Sequence, residues 1–132
     1  MTVTVSTMFI PVHDPDAALV FYRDALGLEV RLDVSSDGFR WVTVGAPGQD
    51  VGIVLFQPHG GRSQTEGDAL TKLMTQGSLQ AAIFSSDDLD TTFEKLRASG
   101  AEVLQEPAEQ PWGVRDCAVR DPAGNRLRIE QA

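Results

Sequence analysis

Eight stretches of the chain are typical of extended strands, and in several of them apolar and polar residues alternate with a period of two, as they do in strands that bury one face. These stretches are residues 7–12, 28–34, 39–45, 50–57, 80–86, 101–106, 113–120 and 125–131. In the last of them, Leu127 and Ile129 alternate with Arg126, Arg128 and Glu130. We therefore expect the aliphatic side chains to face a core, and the charged ones to face either water or the wall of a site.

Two other segments have apolar stripes at helical spacing. The stripes consist of Leu19, Tyr22 and Leu26 in the first segment and of Leu89, Phe93 and Leu96 in the second. Asp14 and Asp88 stand at the N-cap positions, and Gly27 and Gly100 follow as the residues that end each helix. The spacing predicts two helices between these signals and a short third helix at residues 67–75.

The same order of signals occurs twice. Asp14, Asp16 and Arg23 recur 74 residues later as Asp88, Asp90 and Arg97. Each half predicts β-α-β-β-β, with module 1 at residues 1–57, a linker at 58–78 and module 2 at 79–132. A four-stranded sheet with a helix on one face leaves its other face to be covered or used. The prediction is one α+β domain, residues 1–132, in which two tandem βαβββ modules form a curved mixed sheet around a cleft.

Three motifs resemble those of the vicinal oxygen chelate superfamily, which includes glyoxalase I, extradiol dioxygenases, and fosfomycin- and bleomycin-resistance proteins. They are the duplicated βαβββ pattern, D-P-D-x-x-x-x-F-Y-R-D-x-L-G at 14–27 and D-P-x-G-N at 121–125. The run P-W-G-V-R-D-C-A-V-R-D-P-A-G-N at 111–125 is similar to bleomycin-resistance-like members. Those members are metal-free dimers that bind a drug in a cleft lined by both chains and leave it unaltered.

The resemblance also indicates where a metal would be held. In the metal-dependent members four ligands line the cleft, usually His, Gln or Glu. The corresponding positions here are Thr7, Val54, Ala81 and Arg128. A divalent cation needs donors such as imidazole or carboxylate, whereas Ala and Val have no donor atom and the guanidinium is a fixed cation. The resemblance therefore implies a cleft with no metal and no other cofactor.

The strand phase assigns residues to the two faces of each sheet. The candidate ligand-binding residues are Phe9, Trp41, Val54, Phe56, Arg128 and Glu130, with Trp112 added by the resemblance as a stacking platform. The residues expected beneath the helices are Ile10, Ile53, Leu55, Phe84, Leu127 and Ile129. Three alternatives stay open: Trp41 and Phe56 as core residues, Trp112 as a cover for a sheet edge, and Arg128 with Glu130 as a surface ion pair.

The composition restricts the kinds of binding partner and the compartment that we expect. The formal net charge of −8 disfavours nucleic acid and anionic membranes and favours cationic small molecules. The single cysteine, Cys117, suits a reducing compartment and predicts an inert buried thiol. Because the first residues alternate like a strand and lack the features of a signal peptide, we expect a cytoplasmic protein.

These observations favour a metal-free protein that binds a flat aromatic or cationic small molecule, such as an antibiotic. We expect a homodimer with two clefts, each lined by both chains, because sheet edges are exposed and Val20 and Phe21 lie off the apolar stripe. One alternative is a metal-dependent lyase, isomerase or dioxygenase with a displaced site that recruits Glu130, His13 or Asp116. Another is metal-free acid–base catalysis, with Glu130 as base and Arg128 as oxyanion partner. His13 and His59 are expected in surface loops.

Overall fold

The computed structural model describes residues 1–132 and contains eight strands and three helices. Module 1 comprises β1 (Thr7–Pro11), α1 (Pro15–Leu19, continued by a π-helical turn, Val20–Ala25), β2 (Glu29–Ser36), β3 (Phe39–Gly45) and β4 (Gly52–Phe56). The linker contains α2 (Gln64–Thr75), and module 2 comprises β5 (Gln80–Ser86), α3 (Leu89–Ala98), β6 (Glu102–Glu109), β7 (Arg115–Arg120) and β8 (Arg126–Gln131). The predicted β-α-β-β-β order is present in both halves. The helix predicted at residues 67–75 is α2. It starts earlier than predicted because the Ser63 side chain caps it by accepting the Glu66 N–H.

The strands form two separate four-stranded mixed sheets with the same topology. Their orders are β1-β4-β3-β2 and β5-β8-β7-β6, and the first pair in each sheet is parallel. Phe9 pairs with Val54 in one sheet. Ile83 and Arg128, which stand 74 residues after Phe9 and Val54 respectively, pair with each other in the second sheet. The duplication therefore extends to the pairing register, although a bulge in β5 takes Ala81 out of its ladder.

One face of each sheet packs against the helices and forms a single core of 19 buried residues. All six residues predicted beneath the helices lie on this face of the sheets, in the core or against it. Ile10, Leu55, Leu127 and Ile129 are fully buried, and Ile53 and Phe84 pack half-buried against them. The prediction of the core faces is confirmed. None of the helices combines the length and the apolarity that crossing a bilayer requires.

The first helix departs from the predicted regular stripe. After Leu19 the backbone widens into a π-helical turn, in which the Leu26 N–H donates to the Phe21 carbonyl. Phe21 lies at the start of this turn, is buried in the core and meets Tyr22 edge-on, with ring centroids 4.9 Å apart. The expectation that Phe21 is left for a partner chain was wrong, while Val20 remains exposed.

The D-P-x-G-N motif has a structural role at the junction of the modules. The buried Asp121 carboxylate accepts the Tyr22 hydroxyl at 2.6 Å, the backbone N–H groups of Ala123 and Asn125, and the Asn125 side-chain amide. Asn125 also donates to the carbonyl of Pro11 at 2.7 Å. The β7–β8 turn is thereby bound to the first helix and first strand of the other module.

Loss of the Tyr22 hydroxyl should weaken this junction. Burial, and then the charge and hydrogen bond of Asp121, raise the pKa of Tyr22 well above its usual value. We expect Tyr22→Phe to lower the free energy of unfolding by about 1.5–3 kcal/mol, as for a buried hydrogen bond to a charged group. Urea titrations of both proteins at pH 7 measure this difference.

The pH dependence provides the control. Because the folded-state pKa is raised, the stabilisation is complete below the ordinary tyrosine pKa of about 10 and is lost as pH rises above it. The stability difference between parent and Tyr22→Phe should therefore shrink above that pH. A difference below about 0.5 kcal/mol at pH 7 would mean that the hydroxyl adds little beyond a typical surface contact.

Candidate functional site

Three aromatic side chains meet on the uncovered face of the module 1 sheet. Trp41 and Phe56 stack with centroids 6.3 Å apart and ring planes 16° apart, and Phe9 meets Phe56 edge-on at 6.3 Å. Phe9 is 64% exposed, whereas Phe56 is only 6% exposed. In this aromatic cluster (Phe9, Trp41 and Phe56), Phe56 forms the floor and Phe9 the accessible surface.

The start of the linker lies against this cluster. Gly60 sits so close to Trp41 that an added Cβ would stand 2.9 Å from Cζ2 of the indole, so only glycine fits without movement. The guanidinium of Arg62 lies 5.0 Å from the centroid of Phe56, a cation–π geometry. Residues 57–62 therefore cover part of the module 1 face and place a positive charge on it.

The uncovered face of the module 2 sheet carries an open groove of about 930 Å³. Ala81, Ile83 and Ala118 contribute apolar surface to it, and Trp112, which is 67% exposed, lines it from the loop before β7. Arg126 and Arg128 also line the groove. We call this space the module 2 groove.

A buried carboxylate holds Arg128 in place. Asp116 is 3% exposed and accepts hydrogen bonds from Gln110 at 2.8 Å, Gln105 at 3.1 Å and Arg128 Nη1 at 3.2 Å. Burial alone would raise the pKa of Asp116, but the hydrogen bonds from Gln110 and Gln105 and the charge of Arg128 hold it below the usual value. The carboxylate therefore stays ionised and fixes the guanidinium. Arg128 Nη1 also donates to Gln105 Oε1 at 3.1 Å.

The sequence pattern does not reveal this network, because its members come from three strands and a loop. Gln105 is on β6, Gln110 follows it, and Asp116 is on β7. A signal was present, since Asp116 precedes the apolar Cys117 in a strand whose other charged residues lie at its ends. Only the tertiary placement identifies its partners.

Glu130 is not the partner of Arg128. Its Oε1 accepts a hydrogen bond from the Ser85 hydroxyl at 3.3 Å, and the ion pair of Arg128 is with Asp116. The alternative of an Arg128–Glu130 surface ion pair is therefore wrong. Glu130 lies half-buried on the uncovered face, directly across the ladder from Asp116.

The predicted site residues divide into two groups within one chain. Phe9, Trp41, Val54 and Phe56 lie on the first sheet, and Trp112, Arg128 and Glu130 belong to the second module. No hydrogen bond, ion pair or aromatic contact joins the two groups. A single chain therefore carries the predicted site residues in two separate groups.

The four positions that correspond to metal ligands do not fit a divalent cation. Val54 and Ala81 have no donor atom, Ala81 lies in the β5 bulge, and the Arg128 cation is paired with Asp116. Thr7 offers one neutral hydroxyl. No group of three or more His, Cys, Asp or Glu side chains in the chain is arranged to hold a metal ion.

His13 and His59 hydrogen-bond residues outside the two groups of predicted site residues, and Cys117 is buried. His13 hydrogen-bonds Thr75 at 2.9 Å, and His59 hydrogen-bonds Asp68 at 2.8 Å. Cys117 is fully buried, and burial raises the pKa of its thiol to about 11, which suits an inert thiol. A second cavity of about 720 Å³, lined by His13, Ser99 and Arg120 among others, contains none of the predicted ligand-binding residues.

Solved structures share this architecture over nearly the whole chain. UcmS2 is 30% identical with a TM-score of 0.88, each chain being covered over 98% of its length. TnmS3, described as an antibiotic binding protein from Streptomyces sp. CB03234, is 27% identical with a TM-score of 0.76, covering 98% of this chain and 96% of that one. These similarities agree with the two-module topology.

Sequence comparison gives the same assignment. YurT, an uncharacterized protein of Bacillus subtilis (strain 168), is 30% identical over 132 residues, which is 99% of each chain. The profile of one family matches residues 4–129. Since that match spans almost all of both modules, the chain belongs to the Glyoxalase/Bleomycin resistance protein/Dioxygenase superfamily.

Proposed function

We propose that the protein is a cytoplasmic, metal-free homodimer that binds a flat aromatic small molecule, such as an antibiotic or another natural product, and releases it chemically unchanged. The observation that carries the proposal is the module 2 groove, an open space beside an exposed Trp112 in which the two metal positions that line it, Ala81 and Arg128, offer no suitable donor. A large apolar groove with a few fixed polar groups is the usual form of a small-molecule site.

The relatives support a binding role. TnmS3 is described as an antibiotic binding protein, and the similarity covers nearly all of both chains. Fold similarity alone does not transfer a ligand, since members of one fold differ in the residues of their sites. The proposal therefore rests on the groove and takes from this relative only the kind of ligand.

The site residues favour holding a guest over reacting with it. Catalysis by Glu130 as base and Arg128 as oxyanion partner requires both groups to reach one reacting atom. Arg128 is instead tied to Asp116 and Gln105, and Glu130 to Ser85. Because Glu130 does not line the module 2 groove, the proposed base stands outside the space that would hold the guest.

The uncovered faces support a dimer. They expose large apolar side chains on both sheets, including Phe9, Leu32, Val34, Ile83 and Leu104. Contiguous apolar surface of this kind marks interaction sites in soluble proteins. In a two-fold dimer, module 1 of one protomer would face module 2 of its partner, so that each cleft combines an aromatic cluster with a module 2 groove.

Trp112 should contribute strongly to guest binding. We expect Trp112→Ala to weaken the binding of 1-pyrenecarboxamide, a neutral flat probe, by about 1–3 kcal/mol, because an exposed aromatic anchor loses its stacking surface. Isothermal titration calorimetry measures the change, and mass spectrometry of the recovered probe should show it unaltered.

The control for this experiment is Trp112→Phe, which keeps a ring and leaves Trp41 as the only indole. It should retain most of the affinity, and the melting temperatures of all three proteins should be close. If Trp112→Ala binds the probe as well as the parent does, or fails to fold, Trp112 serves the structure and not the site.

The metal positions should not retain a cation. After incubation with Zn²⁺, Ni²⁺, Mn²⁺ or Fe²⁺ and desalting, we expect well under one equivalent per chain by elemental analysis, because the donors at these positions are absent or cationic. Stoichiometric retention that disappears in Glu130→Gln would contradict the metal-free proposal and favour a displaced metal site.

The assembly should be dimeric through the uncovered faces. Light scattering at micromolar concentration should give twice the chain mass of 14.3 kDa. Leu32→Glu should shift the mass towards the monomer, because Leu32 stands on the uncovered face in line with Thr43 and Val54. Leu73→Glu, at an exposed leucine of α2, is the matched control and should leave the dimer intact. A monomeric parent, or equal dissociation by both variants, would refute this arrangement.

A further inference from the structure

We infer that the site selects an anionic guest, a flat aromatic molecule that bears a carboxylate or a similar acidic group. This inference rests on the proposed function and adds the charge of the ligand. It runs against the cationic guest that the net charge of −8 favours. Net charge acts over long range, whereas the side chains in contact with the ligand decide what is held.

The ion pairs of the chain leave two arginines without a carboxylate partner. Seven of the nine arginines in the chain are in ion pairs with carboxylates, and the two exceptions are Arg62 and Arg126. Acidic residues outnumber basic ones by 19 to 11, so carboxylates are not scarce. Both exceptions nevertheless lie on uncovered sheet faces, Arg62 over Phe56 and Arg126 in the module 2 groove. These two cations are left without a carboxylate where a ligand would bind.

Both arginines of the module 2 groove have N–H groups that no protein acceptor uses. Arg126 donates only through Nε, to the carbonyl of Gly77 at 2.9 Å, so its Nη1 and Nη2 groups have no protein acceptor. Arg128 uses only Nη1, which leaves Nε and Nη2 free. A guanidinium with two free N–H groups on one edge matches the two oxygens of a carboxylate.

The guanidinium groups of Arg126 and Arg128 face the same space. Arg126 and Arg128 are two residues apart on β8, so their side chains leave the same face of the sheet with a spacing of about 6.5–7 Å along the strand. No acidic residue lines the module 2 groove, because Asp116 is buried beneath Arg128 and Glu130 lies further along β8. The groove is positive although the protein is acidic.

Asp116 is a positioning residue in this arrangement. Its carboxylate, supported by Gln105 and Gln110, neutralises one charge and fixes Arg128 without being exposed to the guest. Arg126 has no such partner and therefore carries the larger share of the uncompensated positive charge. Trp112 and Ile83 supply apolar surface for the aromatic body of the guest.

Three probes of one shape test the charge preference: 1-pyrenecarboxylate, 1-pyrenecarboxamide and 1-pyrenemethylammonium. With the purified full-length protein, calorimetry should give an affinity for the carboxylate about tenfold or more above that for the amide, the lower end for a hydrogen bond to a charged group. The ammonium should bind most weakly of the three.

Substitutions of single arginines show which residues cause the preference for the carboxylate. Arg126→Gln should remove most of the gain for the carboxylate, so that the ratio of the carboxylate affinity to the amide affinity falls towards one. Its fold is not at risk, since Arg120 also donates to the Gly77 carbonyl. Arg128→Gln should act in the same direction. Arg115→Gln is the control, because Arg115 pairs with Asp90 at the start of α3 and is not in the groove.

The outcomes separate the two proposals. If the amide or the ammonium binds as tightly as the carboxylate, or if Arg126→Gln leaves the preference intact, the inference fails while the binding function stands. If none of the three probes binds saturably, the proposed function fails and the inference with it. If Arg115→Gln abolishes the preference for the carboxylate as fully as Arg126→Gln does, the preference comes from the overall charge of the protein, and the role of Arg126 is overturned.

Discussion

The buried carboxylate of Asp121 is the interaction on which the relative placement of the two modules depends. It accepts the hydroxyl of Tyr22 from one module and three N–H groups from the turn of the other. A buried carboxylate deprived of its donors is costly, so packings that separate these groups are strongly disfavoured. With this junction in place, the helices and one face of each sheet share one core. The second face of each sheet is left uncovered.

The uncovered faces carry the features that suggest function. Residues in alternate strand positions either enter the core or stand on these faces, so the residues available to a ligand follow from the same phase that builds the core. Exposed aromatic and aliphatic side chains lie there together with Arg128, which is paired with Asp116, and with Arg62 and Arg126, which have no carboxylate partner. Elsewhere in this acidic chain the arginines are neutralised by ion pairs. Apolar surface with uncompensated positive charge is what a flat acidic molecule requires.

Much of the fold was predictable because the strand period is strict. Residues 39–45 and 80–86 form strands with the predicted ends, and the six residues assigned beneath the helices either belong to the core or pack against it. The π-helical turn after Leu19 was not predictable from an apolar stripe, since a stripe presumes regular helical spacing. The bulge at Ala81 and the separation of the strands into two sheets depend on pairing between distant segments.

The site was predictable only in part. Strand phase correctly placed Phe9 and Arg128 on the uncovered faces, but the partner of Arg128 is Asp116, and this requires knowledge of how β7 lies beside β8. The free donors of Arg126 become visible only when every ion pair in the chain is known. Such features depend on three-dimensional neighbours, which a local pattern does not contain.

The central claim, that the uncovered faces bind the guest, is tested most directly by nuclear magnetic resonance. Titration of ¹⁵N-labelled protein with 1-pyrenecarboxylate should shift the indole N–H of Trp112 and the Nε–H signals of Arg126 and Arg128 together and saturably. Signals around the cavity that contains His13, Ser99 and Arg120 should stay in place. Saturable shifts confined to that second cavity, with Trp112 and Arg126 unmoved, would contradict the account.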